Sequence, residues 1–268
     1  MVQRLDVLYQ DDELLAVDKP SGLASIAPDG SRARSALSIA TAILRRRNPK
    51  GRAAVVHRLD RDTSGVLLFA TNARVKTELM AGWDRLVLER RYVAVVEGSP
   101  PADQGTLDNW LVERSVGHVM VAGPGERGAL RALTHYRVLR KGAVYSLVEL
   151  DLETGRKHQI RAQLSAVGCP VAGDQRYGAR SDPLGRLCLH AALLSLKRPA
   201  PREPERVLRF ESPVPESFES AVNRAEAQGR GPPDRSGRGR AYGGRPPAPS
   251  GTRSGPRKSS SRKPTDTR

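Results

Sequence analysis

A chain of 268 residues with 38% hydrophobic side chains is long enough for one ordinary domain, or two small ones, with a real core. Its formal charge of +16 points to a polyanionic partner, and the absence of an amphipathic basic helix with an aromatic face favours nucleic acid over membrane. Two cysteines, Cys169 and Cys188, with no CxxC pair and no histidine cluster, argue against a disulfide framework or a zinc site, so free thiols and a cytoplasmic location are expected.

The first residues, MVQRLDVLYQDDELL, carry charges where a signal peptide needs an apolar stretch, and no segment approaches the length of a membrane span. Residues 5–9 and 14–17 read as short strands around a polar turn at 10–12, ending at Lys19-Pro20-Ser21-Gly22. Helical spacing over 35–47 puts Ile39, Ile43 and Leu44 on one side, with basic residues at the C-terminal end that suit the helix dipole. Residues 66–70, VLLFA, have the composition of a buried strand. A helix over 73–84 and a strand over 92–96 follow. Strands at 136–139 and 145–151 meet at a Lys141-Gly142 turn, and an amphipathic helix over 160–167 ends at Gly168 and Pro170. These elements do not follow a strict βαβ alternation, so the body reads as α+β.

Residues 228–268 contain 11 Lys and Arg and 2 Asp and Glu, a balance of +9, which leaves +7 for residues 1–227. With no Leu, Ile, Val, Phe or Trp, this Arg/Gly/Pro/Ser-rich segment cannot bury enough apolar surface to offset its ordering entropy and is expected to be disordered. Its makeup resembles RNA-associating tails and equally suits a solubilising remnant. The expected boundary between the folded domain and the tail lies between 227 and 228.

Two polar clusters could carry chemistry. The first, His57-Arg58-Leu59-Asp60-Arg61-Asp62-Thr63-Ser64-Gly65, sits on a loop just before the VLLFA strand, where a rigid strand can position catalytic groups. Read alone, it is as readily a polar turn with a local ion pair. The second, Glu153-Thr154-Gly155-Arg156-Lys157-His158-Gln159-Ile160-Arg161, lies at the mouth of a helix, where backbone N–H groups favour an anion. It is equally an ordinary helix start capped by Thr154 or Glu153, with Arg156 and Arg161 in solvated pairs. Phosphate-loop, dinucleotide, HExxH and GxSxG patterns are missing, and the five histidines lack metal-site spacing, so no metal and no cofactor are expected.

Together the clusters are recognisable. HRLDRDTSGVLLFA resembles the first motif of the RluA-type RNA pseudouridine synthases, and TGRKHQIRAQLSAVGCPVAGDQRYG resembles their second. DKPSGL, ERRYVAVVEG and RLCLHA match in the right order, so the resemblance covers about residues 5–218. Lys157, Asp18 and Arg90 stand where relatives usually carry Thr, Asn and Lys. The match begins almost at Met1, so the extra N-terminal RNA-binding domain of many relatives is expected to be absent.

The resemblance implies a mixed, largely antiparallel sheet with flanking helices and a central RNA-binding cleft. It implies isomerisation of uridine to pseudouridine within rRNA or tRNA, by a monomer, with Asp60 as the nucleophile or as a stabiliser of positive charge at the sugar carbon. Arg156 matches the family's active-site arginine and is the expected partner of Asp60, since a nearby guanidinium favours an ionised carboxylate. Tyr92 matches the tyrosine that stacks on the target base. Arg58 matches the residue that fills the space left by a flipped base, and Lys19 and Arg161 join it as RNA-contacting residues, Lys19 with a mainly structural part. A catalytically idle RNA-binding or ribosome-assembly factor is the main alternative, and a hydrolytic N-glycosidase the second.

Overall fold

The computed structural model describes residues 4–31, 33–199 and 206–228. The N-terminal third contains β1 (Asp6–Gln10), β2 (Leu14–Lys19), α1 (Ala36–Arg45), the two-residue β3 (Ala54–Val55), β4 (Ser64–Ala70), α2 (Ala73–Ala81) and the single turn α3 (Trp83–Leu86). It is followed by β5 (Val87–Glu97), β6 (Gln104–Ser115), β7 (His118–Ala122), β8 (Leu130–Lys141), β9 (Tyr145–Leu152) and α4 (Gln159–Ala166). A 3₁₀ turn (Gln175–Tyr177), β10 (Leu189–Lys197), β11 (Val207–Glu211) and α5 (Glu216–Gln228) complete it.

All eleven strands join one sheet in the order β1-β2-β4-β10-β5-β9-β8-β6-β7, with β3 beside β4 and β11 beside β10. Every pairing is antiparallel except β4 with β10. This is the α+β arrangement expected from the sequence.

Side-chain alternation explains why β2 is apolar over 14–17 and β4 over 66–70. Leu14, Ala16, Val66, Leu68 and Ala70 face a core closed by Val75 and Leu79 of α2 and Leu86 of α3. Leu15, Val17, Leu67 and Phe69 point the other way, to Ala36, Ala40 and Leu44 of α1. A strand covered on both faces loses the polar alternation of a half-exposed one. α1 starts with a capping box, in which Ser35 and Ser38 each bond the other's main-chain N–H. Across the sheet, β5 and β9 share a third core with Ile160, Leu164 and, from α5, Phe218 and Val222.

The structure departs from the sequence reading in three places. The helix expected over 73–84 breaks at Gly82 into α2 and α3. The strand expected over 136–139 is twelve residues long and belongs to an antiparallel lobe with β6 and β7, neither of which the sequence announces. α5 reaches Gln228, one residue past the expected domain boundary. Residues 229–268, where the tail is expected, lie outside the described residues.

One row of partners crosses the middle of the sheet. Lys19 of β2 is opposite Gly65 of β4, Gly65 opposite Ala191 of β10, Ala191 opposite Tyr92 of β5, and Tyr92 opposite Leu150 of β9. At about 4.8 Å per strand, the row fixes the spacing of groups contributed by five separate strands. Gly65 is required where β4 and β10 run parallel. Its φ is +109°, and a Cβ there would lie 2.2 Å from the Ala191 carbonyl oxygen.

Candidate active site

Asp60 lies on the loop that enters β4, and the segment after β2 clamps that loop on both sides of it. The Ser25 hydroxyl donates to the Leu59 carbonyl at 2.7 Å and accepts the Leu59 N–H at 3.1 Å. On the other side, the Lys19 ammonium donates to the Arg61 carbonyl at 2.9 Å, to Leu23 at 2.8 Å and to Pro20 at 3.0 Å. Gly22 N–H also donates to the Arg61 carbonyl, and the Ser21 hydroxyl to that of Asp62. Lys19 is fully buried, and that burial pushes its pKa down to about 8.

The other wall is the start of α4. Arg161 is 90% buried as a side chain and bridges two carboxylates. Its Nη1 donates to Asp60 Oδ2 at 3.1 Å, while Nε and Nη2 grip Asp174 at 2.6 and 2.8 Å. Burial opposes the Arg161 charge, but the hydrogen bonds and charge of Asp174, then of Asp60, raise its pKa above the ordinary value. The planar fork lets one guanidinium hold both acids.

His158 is the one non-glycine residue with positive φ among the described residues, at 51°. A side chain in that left-handed region costs about 1 kcal/mol or more. Tyr177 holds it there. The Tyr177 hydroxyl accepts the Val119 N–H at 3.0 Å and lies 2.8 Å from His158 Nδ1. Burial lowers the His158 pKa against the pull of Asp60, so the ring is neutral at neutral pH. Donation from the Tyr177 hydroxyl to Nδ1 leaves the ring proton on Nε2, which faces Asp60 Oδ2 at 3.7 Å.

Two buried glutamines fix α4 to the sheet. Gln163 donates to the carbonyls of Leu107 and Ala132, both at 2.9 Å, and accepts from the Thr134 hydroxyl at 2.7 Å. Gln159 donates to Leu133 and Thr134 and accepts from Thr154 and from Arg156 N–H. Thr154 and Glu153 are therefore not the helix cap. The cap position is His158, without a side-chain cap bond.

Between these walls opens a cavity of about 550 Å³ lined by Asp60, Tyr92, Arg58, Arg156, His158 and Arg161 among others. That volume lies within the range of ligand sites. Asp60 is the one carboxylate in the lining, against six Lys and Arg. Tyr92 is half-buried, and burial pushes its hydroxyl up to about 12, so the phenol holds its proton at neutral pH. His57 serves the fold. Its Nε2 accepts the Leu68 N–H at 2.9 Å, its ring lies on Trp83, and burial, with Arg90 adding to it, pushes its pKa down to about 4.

Asp60, Tyr92, Arg156, Arg58 and Arg161 thus line one cavity, although they come from three distant parts of the sequence. One expectation needs correction. Arg156 is exposed and its Nε donates to the Arg131 carbonyl at 3.1 Å; the ion pair expected of it belongs to Arg161. The reason is geometric: Arg156 precedes α4, whereas Arg161 sits inside the helix on its buried side. Arg161 is engaged with Asp60 and Asp174 while still lining the cavity. Lys19 is fully buried with its donors on main-chain carbonyls, which fits the mainly structural part expected of it.

His158, Asp174 and Tyr177 lie within the second motif without an assigned part, and Ser25 escapes a reading of the sequence. A hint for Arg161 is present: it lies three residues before Leu164, on the helix face that packs inward, where a solvated arginine does not belong.

Comparison with known proteins identifies relatives of this arrangement. A family model described as RNA pseudouridylate synthase matches residues 13–166. The RNA pseudouridine synthase YjbO of Bacillus subtilis, itself uncharacterized, is 34% identical over 228 residues, covering 81% of this chain and 75% of its own. Ribosomal large subunit pseudouridine synthase D of Nitrosomonas europaea is 34% identical over 223 residues, 80% of this chain and 63% of its own. Among solved structures, human RNA pseudouridylate synthase domain containing 1 superposes with a TM-score of 0.64 at 27% identity, over 82% of this chain and 89% of that one. The human domain containing 4 protein gives a TM-score of 0.68 at 24% identity, over 82% and 92%, and shares the fold.

Proposed function

The chain belongs to the RNA pseudouridylate synthase family and is an isomerase, and on that premise we propose that it converts specific uridines of ribosomal or transfer RNA to pseudouridine with Asp60 as the essential carboxylate. The observation that carries this is the ion pair of Asp60 with Arg161 inside a cavity whose other charged lining residues are cations. A carboxylate so placed can attack or stabilise the sugar carbon when the glycosidic bond breaks. Ordinary glycoside hydrolysis uses two carboxylates to activate water; this cavity offers one, which suits a reaction that returns the base to the sugar.

The target base must leave its stack to reach Asp60. Arg58, exposed where the loop lines the cavity, can enter the vacated space as a flat cation. Tyr92 offers its ring to the flipped uracil. With its proton held at neutral pH it acts first as a stacking face, and any part in removing the carbon 5 proton requires a second group to take the phenol proton. Arg161 is a positioning residue: it fixes the Asp60 carboxylate from the α4 side, with His158 Nε2–H beside it. Arg156, exposed at the mouth, is available to a phosphate or to the base.

The catalytic unit is residues 1–227, acting as a cytoplasmic monomer with no cofactor, and the basic segment 228–268 adds sequence-independent affinity for RNA. The composition of the two segments supports that division. No helix among the described residues is long and apolar enough to cross a membrane.

The decisive experiment is Asp60→Asn on unmodified rRNA and tRNA transcripts. Pseudouridine, an isomer of unchanged mass, should form with the wild-type chain and vanish with the variant, while RNA affinity stays within a few-fold. Turnover retained by Asp60→Asn refutes the catalytic role, and free uracil in place of the isomer indicates a glycosidase.

A further inference from the structure

The positive charge of the folded body is concentrated in one stretch. Residues 30–59 contain eight Lys and Arg and no Asp or Glu, whereas the rest of residues 1–227 holds 26 basic and 27 acidic side chains. Outside this stretch the body is therefore close to neutral.

The fold turns that stretch into an out-and-back arm rooted at the cavity. α1 begins there: Ala36 N–H donates to the Ala24 carbonyl at 2.8 Å and Leu37 N–H to Ser25 at 3.0 Å, and both acceptor residues line the cavity. Ten helical residues carry the chain about 15 Å away. A turn after Leu44 then reverses it, β3 pairs with β4, and Val56, His57 and Arg58 line the cavity again. Arg45, Arg46, Arg47, Lys50 and Arg52 lie at the far end, all exposed.

These five differ from a set of paired cations elsewhere on the surface. Arg91, Arg114, Arg131, Arg137 and Lys157 all pair with a carboxylate. No ion pair joins any of the five to a carboxylate of the described residues, and the side-chain bond found for them runs from Arg45 Nε to the Gly51 carbonyl. A helix C-terminus is stabilised by a cation in its last turn, by about 0.3–1 kcal/mol. Five cations within eight residues repel one another, and neither capping nor packing requires them there. No Phe, Tyr or Trp occurs in residues 30–59, so the arm has no ring on which a base could stack.

We propose that the end of this arm is a docking surface for the phosphodiester backbone of the substrate RNA, gripping a flank of the RNA about 15 Å from the cavity in which one nucleotide is flipped. Interactions of this kind with phosphates set register and orientation and carry no sequence information. The proposal rests on the functional reading above, and it makes the substrate a structured RNA long enough to touch both places.

The test uses the full-length chain with Arg46, Arg47, Lys50 and Arg52 replaced together by Ser, beside a variant in which the three arginines become Lys. Arg58 is left intact because it lines the cavity. The dissociation constant for the rRNA and tRNA transcripts is measured across a salt series. For every phosphate that the variant no longer neutralises, the slope of log affinity against log salt should flatten by about 0.7–0.9. The Ser variant should therefore bind roughly tenfold or more weakly at low salt and approach the wild type at high salt. Its single-turnover rate at saturating enzyme should be unchanged, and the Lys variant should retain both affinity and slope. Unchanged affinity and slope in the Ser variant overturn the proposal. So does a deficit equal at every salt concentration, or loss of binding to anionic vesicles with RNA affinity intact. Pseudouridine formation by the wild type and by Asp60→Asn, scored on the same RNAs, tests the functional reading independently, so either can fail while the other stands.

Discussion

On the β2–β4 side of the cavity, Asp60 is held through main-chain atoms, by the Ser25 hydroxyl and the Lys19 ammonium acting on carbonyls at either side of it. On the α4 side, Arg161 and His158 are held through side chains, by Asp174, Tyr177 and the amides of Gln159 and Gln163. The difference has a physical origin. A short loop exposes its own polar backbone and can be fixed by donors aimed at it, whereas a helix has already satisfied its backbone and must be fixed by the side chains it projects. Charge is matched where the two walls meet, with one guanidinium shared between Asp60 of the first and Asp174 of the second.

The sharpest break in that comparison is Arg161→Ala set against Arg156→Ala. Removing Arg161 leaves the buried Asp174 without its cation, and loss of one partner of a buried pair costs about 3–5 kcal/mol. Chemical denaturation should show that loss together with a collapse of kcat. Arg156→Ala should leave stability within about 0.5 kcal/mol and act mainly on KM. Equal stability effects would mean that the charge bridge does not hold the two walls together.

A smaller effect is expected from Gln163→Met, which keeps the volume but leaves the buried Thr134 hydroxyl without its acceptor and removes the amide donor to the Leu107 and Ala132 carbonyls. A buried polar group left unsatisfied costs about 1–3 kcal/mol. Urea unfolding should show a loss on that order, and kcat should fall as α4 loosens while an Asp60-side readout, such as exchange of the Leu59 amide, stays put. If the Leu59 amide loosens equally, the walls are not held independently.

An effect of similar size, confined to high pH, belongs to Lys19. Its pKa of about 8 in the fold lies below the ordinary 10.5, chiefly because burial disfavours the charge. Between these values the unfolded chain binds the proton and the folded chain does not, so this group makes stability rise with pH across that window. Unfolding free energies of the wild type relative to Lys19→Met should therefore improve between about pH 8 and 10.5, by on the order of 1–3 kcal/mol. Above pH 8 the neutral amine has only two donors for three carbonyls, so the clamp should relax and turnover should decline. A flat difference across that range would show that Lys19 stays charged in the fold.

Legibility follows locality. β2, β4, α1, α4 and β9 are readable because each carries its own apolar run or helical spacing, and the motif match brings Asp60, Tyr92 and Arg58 into view. β6 and β7 are not, because strands such as QGTLDNWLVERS are only partly buried and interleave charges that pair with β8 and with Lys157 ahead of α4. The exchange of roles between Arg156 and Arg161 is invisible for a related reason. Both lie in one polar cluster of the sequence, and only their position relative to α4 separates the buried guanidinium from the exposed one.

Local pattern and residue chemistry suffice for the family motifs and for the α+β class, and the motif match singles out Asp60 as the candidate carboxylate. All three can be read from short stretches of chain without knowing what lies beside them. The folded arrangement alone settles which cation meets Asp60, turns Lys19 onto backbone carbonyls, and makes a basic stretch into an arm rooted at the cavity. Ion pairs and burial depend on distances across five strands and a helix, and those distances are set by sheet register and helix docking, which no local stretch of sequence encodes.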